Sequence, residues 1–167
     1  QMNAGAFEDA VWNHVKRAEV IDRQGERSWI DAVMFTPGYR EVEKPFPGWY
    51  TRAEVCLQTG DLPAARKRVE SIIKRRKEKQ PLEWPSCGSV FRNPHNDHAG
   101  RLIEAAGLKG YQIGDAQVST KHANFIINRG RATASEVEAL IRDVQEQVKA
   151  ESGIWLEKEV CVIGVAI

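Results

Sequence analysis

Residues 110–140, GYQIGDAQVSTKHANFIINRGRATASEVEAL, lead from two strand-like segments through a turn into a capped helix, and that order decides the fold class. Gly110–Val118 and Ala123–Asn128 each predict a strand. Asn128-Arg129-Gly130 turns the chain. Thr133, with Glu136 three residues on, forms a capping box at the head of a helix expected to run to about Glu151. Val137, Leu140, Ile141, Val144 and Val148 recur at helical spacing as its core stripe, and Gly153 closes it. There is no internal repeat and no GxGxxG fingerprint. The pattern is α+β.

The same reading extends outward. Val15–Asp22 and Trp29–Met34 predict an antiparallel pair joined by a turn at Arg23-Gln24-Gly25-Glu26. Thr36–Arg40 predicts a loop, because Pro37-Gly38 stops regular structure, and Pro45, Pro47 and Gly48 prolong the irregular stretch. Trp49–Gln58 alternates as a strand. Asp61 caps a helix that tolerates Pro63 in its first turn and runs to about Lys79, with Ala65, Val69, Ile72 and Ile73 as its apolar stripe. Gln80-Pro81 ends that helix, and a domain boundary is expected there, dividing 1–80 from 81–167. His98–Ala106 predicts a short helix closed by Gly107. Trp155–Gly164 predicts a final strand in which Leu156, Lys158, Val160 and Val162 alternate with Glu157 and Glu159.

Composition narrows the class. The 167 residues are 42% hydrophobic and 28% charged, ordinary for a soluble globular chain with a real core. Net charge is +1, so nothing global argues for nucleic acid or a membrane, and no apolar run could span a bilayer. The basic run Lys74-Arg75-Arg76-Lys77 reads as a solvated helix end favourable to the dipole, without interleaved aromatics to stack bases. Three scattered cysteines, Cys56, Cys87 and Cys161, fit a reduced, cytoplasmic protein. His95 and His98 lack acidic or thiol partners, so no metal site is expected. No secretory signal is seen, and the opening residues read as a chain that begins inside a domain.

The chemistry concentrates in Pro85-Ser86-Cys87-Gly88-Ser89-Val90-Phe91-Arg92-Asn93-Pro94. Gly88 allows backbone conformations closed to other residues, so Ser89 can be presented sharply at a cleft. Arg92 and Asn93 add a cation and an amide suited to an oxygen-rich anion. Read alone, the segment also fits a polar turn entering a strand. Arg40 in its Pro-Gly-Tyr loop and Glu159 in the terminal segment are the other unexpected polar groups. A hydroxyl, a guanidinium and a carboxylate together form a proton-transfer set, if they share a cavity. Glu159 alone equally fits the solvent side of an alternating strand.

Several ordered motifs resemble the UDP-N-acetylenolpyruvoylglucosamine reductases, flavoproteins of bacterial peptidoglycan synthesis. They are the Pro85–Pro94 segment, Ala99–Gly110 (AGRLIEAAGLKG), Ile113–Ser119 (IGDAQVS) and Lys121–Asn128 (KHANFIIN). Asn3-Ala4-Gly5-Ala6-Phe7, Pro37-Gly38-Tyr39-Arg40 and Trp155–Val160 match earlier and later parts of the family, so the resemblance covers essentially the whole chain. It implies that NADPH reduces bound FAD, which passes a hydride to the enolpyruvyl group of a UDP-sugar to give UDP-N-acetylmuramate. On matching positions Ser89 would donate the proton, while Arg40 and Glu159 would polarise and stabilise the intermediate, with Glu157 a rival for the carboxylate. Tyr39, Asn93, His122 and Asn124 would contact the substrate, and Asn3, Ala4, Gly5 and Ala6 the cofactor.

The chain departs from the family pattern in places. Glu41 and Val42 follow Arg40 where a serine is usual, and Gly114-Asp115 replaces a glycine pair. Arg40 to Gly60 is too short for the tyrosine-bearing insertion of one subtype. Family members run about twice this length, with the FAD phosphate loops upstream of Asn3. The expectation is therefore the end of an FAD-binding domain, antiparallel strands plus a helix, over 1–80, followed by an α+β substrate-binding domain over 81–167. Such a piece is expected to bind FAD weakly or not at all, to be inactive alone, and to self-associate through a newly exposed edge. The alternative is a non-catalytic UDP-sugar-binding module of the same fold.

Overall fold

Residues 2–6 and 9–164 are described by the computed structural model of the chain, which divides into two compact units, Gln1–Leu62 and Pro63–Ile167. Phe7, the last residue of the quoted Asn3–Phe7 motif, lies outside the described residues.

In the first unit, β1 (Gly5–Ala6) pairs with β2 (Asp9–Ala10), and β3 (Val15–Ile21) lies between β4 (Arg27–Asp31) and β7 (Trp49–Val55), all antiparallel. Asp22 shapes the β3–β4 turn, its Oδ1 accepting from the N–H groups of Gln24 (2.8 Å) and Glu26 (2.9 Å). The second strand stops at Asp31 rather than Met34, because pairing with β3 ends at Arg17 opposite Asp31; Ala32–Met34 winds into one 3-10 turn.

The expected loop at Thr36–Arg40 is instead a hairpin. β5 (Thr36–Gly38) pairs with β6 (Glu41–Glu43) around Tyr39 and Arg40. A two-stranded ribbon has a free edge, so the N–H that Pro37 lacks is not missed. Arg40 takes φ +60°, a left-handed conformation common at the second residue of such a turn. Ala18, Val20, Phe35 and Val42 form the core, with Trp12, Ile30, Phe46 and Tyr50 packed on it. Trp12 and Phe35 stand 4.9 Å apart between ring centroids.

The second unit begins with α1 (Leu62–Lys79), none of whose residues is buried. The expected apolar stripe is not a core face: Val69 and Ile73 stay 53% and 48% exposed, and no α1 residue joins the unit's hydrophobic cluster. Ala65, Val69, Ile72 and Ile73, on an 18-residue helix rich in Lys and Arg, make too narrow a stripe to bury.

The core lies beyond it. β8 (Ser86–Ser89), β9 (Gln112–Ile113), β10 (Ala116–Val118) and β11 (Phe125–Asn128) form an antiparallel sheet in the order β8-β11-β10-β9. The helices α2 (Ala99–Ala105) and α3 (Ala134–Ser152) supply Leu102, Ile103, Leu140, Ile141, Val144 and Val148 to the same cluster as Val90, Phe91, Val118 and Ile126. The chain is α+β.

What read as one strand over Gly110–Val118 is the β9–β10 hairpin, folded at Gly114 (φ +54°) and Asp115. Asp115 binds this turn to the next one: its carbonyl accepts from Arg129 N–H (2.8 Å) and its Oδ2 from Arg131 N–H (2.7 Å). The α3 capping box is complete. Thr133 Oγ1 accepts from Glu136 N–H (3.2 Å), Glu136 Oε2 accepts from Thr133 N–H (2.8 Å), and Gly153 ends the helix at φ +74°.

Trp155–Gly164 is not a strand. It makes one bridge, Phe91 opposite Lys158, flanked by Arg92 N–H to Glu157 C=O (2.9 Å) and Glu159 N–H to Val90 C=O (2.8 Å). The partner run ends at Asn93-Pro94, so further pairing has nothing to join. Leu156 is fully buried, and its carbonyl accepts from the buried Gln145 amide (2.7 Å), fastening the segment to α3. Among the described residues no helix is long and apolar enough to cross a membrane.

Candidate functional site

The β8–β11 register sets how Ser89 is presented. Phe125 faces Ser89 and Ile127 faces Ser86, so three steps along β8 match two along β11. The extra residue makes a bulge, with Gly88 at φ +85°. A bulge of this kind re-aims the following side chain, and the left-handed residue in it is nearly always glycine. Ser89 lies half-buried at a cavity of about 390 Å3, whose wall also includes Asn93, Arg101, Lys121, His122 and Asn124.

Each wall residue is held by its own local bonds. Asn93 Oδ1 accepts from Ala99 N–H (3.1 Å) at the start of α2, a bond that leaves both Nδ2 hydrogens unused. Ser119, fully buried, accepts on Oγ from the N–H groups of Lys121 (3.1 Å) and His122 (3.3 Å), which folds the 119–124 loop tightly. His122 Nδ1 accepts from Asn124 N–H (3.3 Å), so the neutral ring carries its proton on Nε2. Burial pushes His122 below the usual imidazole range and favours that neutral donor form.

The cations of the wall are balanced by carboxylates. Arg101 Nε donates to Asp97 Oδ1 (2.7 Å), and this bond with the His98 N–H lowers the Asp97 carboxyl to about 2, so the pair stays ionised at any working pH. Lys121 Nζ lies 3.3 Å from Glu83 and donates to Lys77 C=O (3.0 Å). The cavity therefore offers hydroxyl, amide and imidazole donors within a nearly neutral charge frame. That suits a polar, oxygen-rich ligand better than a bare multivalent anion.

The structure thus brings Ser89, Asn93, His122 and Asn124 to one cavity. Glu159 is half-buried and joined through its N–H to Val90, next in the chain to Ser89, whereas its rival Glu157 is exposed. Arg40 and Tyr39 belong to the first unit, where the Arg40 guanidinium lies 5.8 Å from the Tyr39 ring centroid. Asn3 spends its side chain inside that unit, donating to Gly38 C=O (3.0 Å) and accepting from Trp12 N–H (3.2 Å), while Ala4 and Gly5 are exposed. Sequence reasoning missed Arg101 and Lys121. Arg101 precedes the buried pair Leu102-Ile103 on α2, and Lys121 lies on the loop that Ser119 folds.

An antiparallel α+β layer with a polar cavity beside its edge strand has the make-up of a small-molecule binding domain. The family model described as UDP-N-acetylenolpyruvoylglucosamine reductase, C-terminal domain, matches residues 80–163, and the chain belongs to that family. It is similar to the UDP-N-acetylenolpyruvoylglucosamine reductase of Methylococcus capsulatus, 49% identical over 99% of this chain and 54% of the relative. The protein of the same name from Alkalilimnicola ehrlichii is 48% identical over 99% of this chain and 55% of the relative. The crystal structure of UDP-N-acetylenolpyruvylglucosamine reductase from Thermus caldophilus matches with a TM-score of 0.79 and 34% identity, covering 95% of this chain and 57% of that one. The chain spans about half the length of the curated relatives it matches.

Proposed function

We propose that this chain is the part of a UDP-N-acetylenolpyruvoylglucosamine reductase that holds the UDP-sugar and delivers a proton as its enolpyruvyl group is reduced to give UDP-N-acetylmuramate. The observation that carries this reading is that Ser89, Asn93 and His122 wall one cavity, with Glu159 hydrogen-bonded beside Ser89. Ser89 Oγ gives its proton to the carbon on which negative charge develops. A serine hydroxyl is a weak acid in open water, so the transfer needs a desolvated setting and stabilised charge. The half-buried positions of Ser89 and Glu159 support that role. Arg40 and Glu159 take the charge-stabilising roles. The Asn93 amide hydrogens and the His122 Nε2–H suit the oxygens of a nucleoside diphosphate.

When bound, FAD reduced by NADPH would supply the hydride. Because the Asn3 side-chain amide is committed within its own unit, the small, exposed Ala4 and Gly5 would meet that ring system through their peptide groups. Three exposed, unpaired cysteines support a reducing cytoplasmic setting.

The test combines calorimetric titration of this chain with the UDP-sugar and NADPH oxidation by the full-length protein. Ser89→Ala is expected to leave flavin reduction by NADPH intact and to abolish product formation. Product formation at the wild-type rate in Ser89→Ala refutes the assignment. UDP-sugar binding with no turnover by the wild-type full-length protein points to a binding module instead.

A further inference from the structure

We propose that Asn124 is a positioning residue, whose side-chain amide clamps the peptide groups of Phe91 and so fixes the strand end carrying Ser89 against the segment carrying Glu159. The role deepens the reductase reading and rests on it.

Sheet pairing between β8 and β11 stops at Ser89 opposite Phe125, because the 119–124 loop turns away there. Val90 and Phe91, 1% and 2% exposed, still need partners for their peptide groups. Asn124, 4% exposed, provides three: Oδ1 accepts from Phe91 N–H (3.0 Å), Nδ2 donates to Phe91 C=O (2.8 Å), and its carbonyl accepts from Val90 N–H (2.9 Å). A carboxamide carries an acceptor and a donor on one planar group, as a peptide does, so this side chain stands in for the missing strand residue. On the other side of the same residues, Val90 C=O accepts from Glu159 N–H (2.8 Å) and Arg92 N–H donates to Glu157 C=O (2.9 Å). Val90-Phe91 is thus a rail between the hydroxyl and the carboxylate, and Asn124 holds it. Both polar atoms of the Asn124 side chain are used in this way, although the residue lines the cavity. Its own N–H also orients the His122 ring.

The clamp has a chemical signature. In Asn124→Asp an ionised carboxylate still accepts from Phe91 N–H but turns lone pairs on Phe91 C=O. A protonated one restores both bonds. Burial beside a carbonyl keeps that carboxyl neutral to higher pH than usual. The titratable and charged groups that share the cavity with Asn124 are His98, Arg101, Glu104, Lys121 and His122; Asn124→Ala carries them all, so a climb confined to Asn124→Asp belongs to the new carboxyl.

Turnover is measured in the full-length protein, together with thermal unfolding and the KM for NADPH. Amide exchange is measured on this chain alone. Asn124→Ala is expected to lose about 10²-fold in kcat at unchanged KM for NADPH. The Asn124→Asp to wild-type ratio is expected to climb as pH falls, with no such climb for Asn124→Ala. Phe91 N–H in the wild-type chain is expected to exchange slowly, a result that stands even if a variant fails to fold. The role is overturned if Asn124→Ala turns over at the wild-type rate, if a folded Asn124→Asp gives a flat ratio, or if Phe91 N–H exchanges like an open loop amide. An inactive wild-type protein sinks the reductase reading itself; an active one with an active Asn124→Ala sinks only the positioning role.

Discussion

Replacing Gly88 with alanine tests whether the bulge in β8 governs how Ser89 is aimed. Gly88 sits at φ +85°, and a Cβ added there meets nothing within 4 Å, so no collision contributes to the cost. What remains is the left-handed backbone itself, worth about 1–2 kcal/mol for a residue with a Cβ. With a urea dependence of about 2 kcal/mol per molar, the unfolding midpoint should fall by roughly 0.5–1 M. Gly107 is the matched control: its φ is +73°, its added Cβ also meets open space, and it follows α2 outside the lining of the Ser89 cavity. Gly107→Ala should lose similar stability and keep its affinity for the UDP-sugar, whereas Gly88→Ala should lose both. Gly88→Asn should recover part of the stability, because asparagine tolerates left-handed backbone better than alanine. An unchanged midpoint in Gly88→Ala would mean the bulge is not left-handed in solution. Equal loss of ligand affinity in both variants would break the link between the bulge and the site.

Two further outcomes are expected. An alanine Cβ at position 114 would lie 1.9 Å from Glu136 Oε1 and evict the carboxylate from its bond to Thr133 N–H, so Gly114→Ala and Glu136→Ala should cost less together than the sum of each alone; an additive urea double-mutant cycle would refute this. His122 titrates below 6.5 in the folded chain because burial disfavours its charge, so the unfolded chain takes up the proton first as pH drops. The stability it contributes is full above 6.5 and is lost as pH falls through the folded value, and His122→Phe should flatten that decline in urea titrations across the window.

The α3 helix was legible because every signal in it is local: a capping box, an apolar stripe and a glycine stop within one segment. The hairpins were harder. Thr36–Arg40 reads as a loop because Pro37 stops regular structure except at a free edge, and only the fold puts its strand in a two-stranded ribbon. Gly110–Val118 read as one strand because Asp115, which makes the turn, is satisfied by Arg129 and Arg131, partners that only the tertiary fold supplies. Trp155–Gly164 alternates convincingly, yet strand formation depends on a partner, and Val90–Arg92 is too short to provide one. For the site, Ser89 announced itself through Gly88. The side chain of Asn124 is bonded to the peptide groups of Phe91, a pairing that no spacing in KHANF encodes.

The tail that brings Glu159 near Ser89 is also a selvedge. β8 ends the row of strands, and residues 157–160 occupy hydrogen-bonding positions on Val90 and Arg92 that would otherwise lie open to a neighbouring molecule. Trimming the chain after Leu156 would remove a carboxylate and unravel a hem in one cut. One short ribbon of residues thus closes the backbone along Val90–Arg92 and, on the proposed function, carries the stabilising carboxylate, so a change that loosens the first is expected to loosen the second.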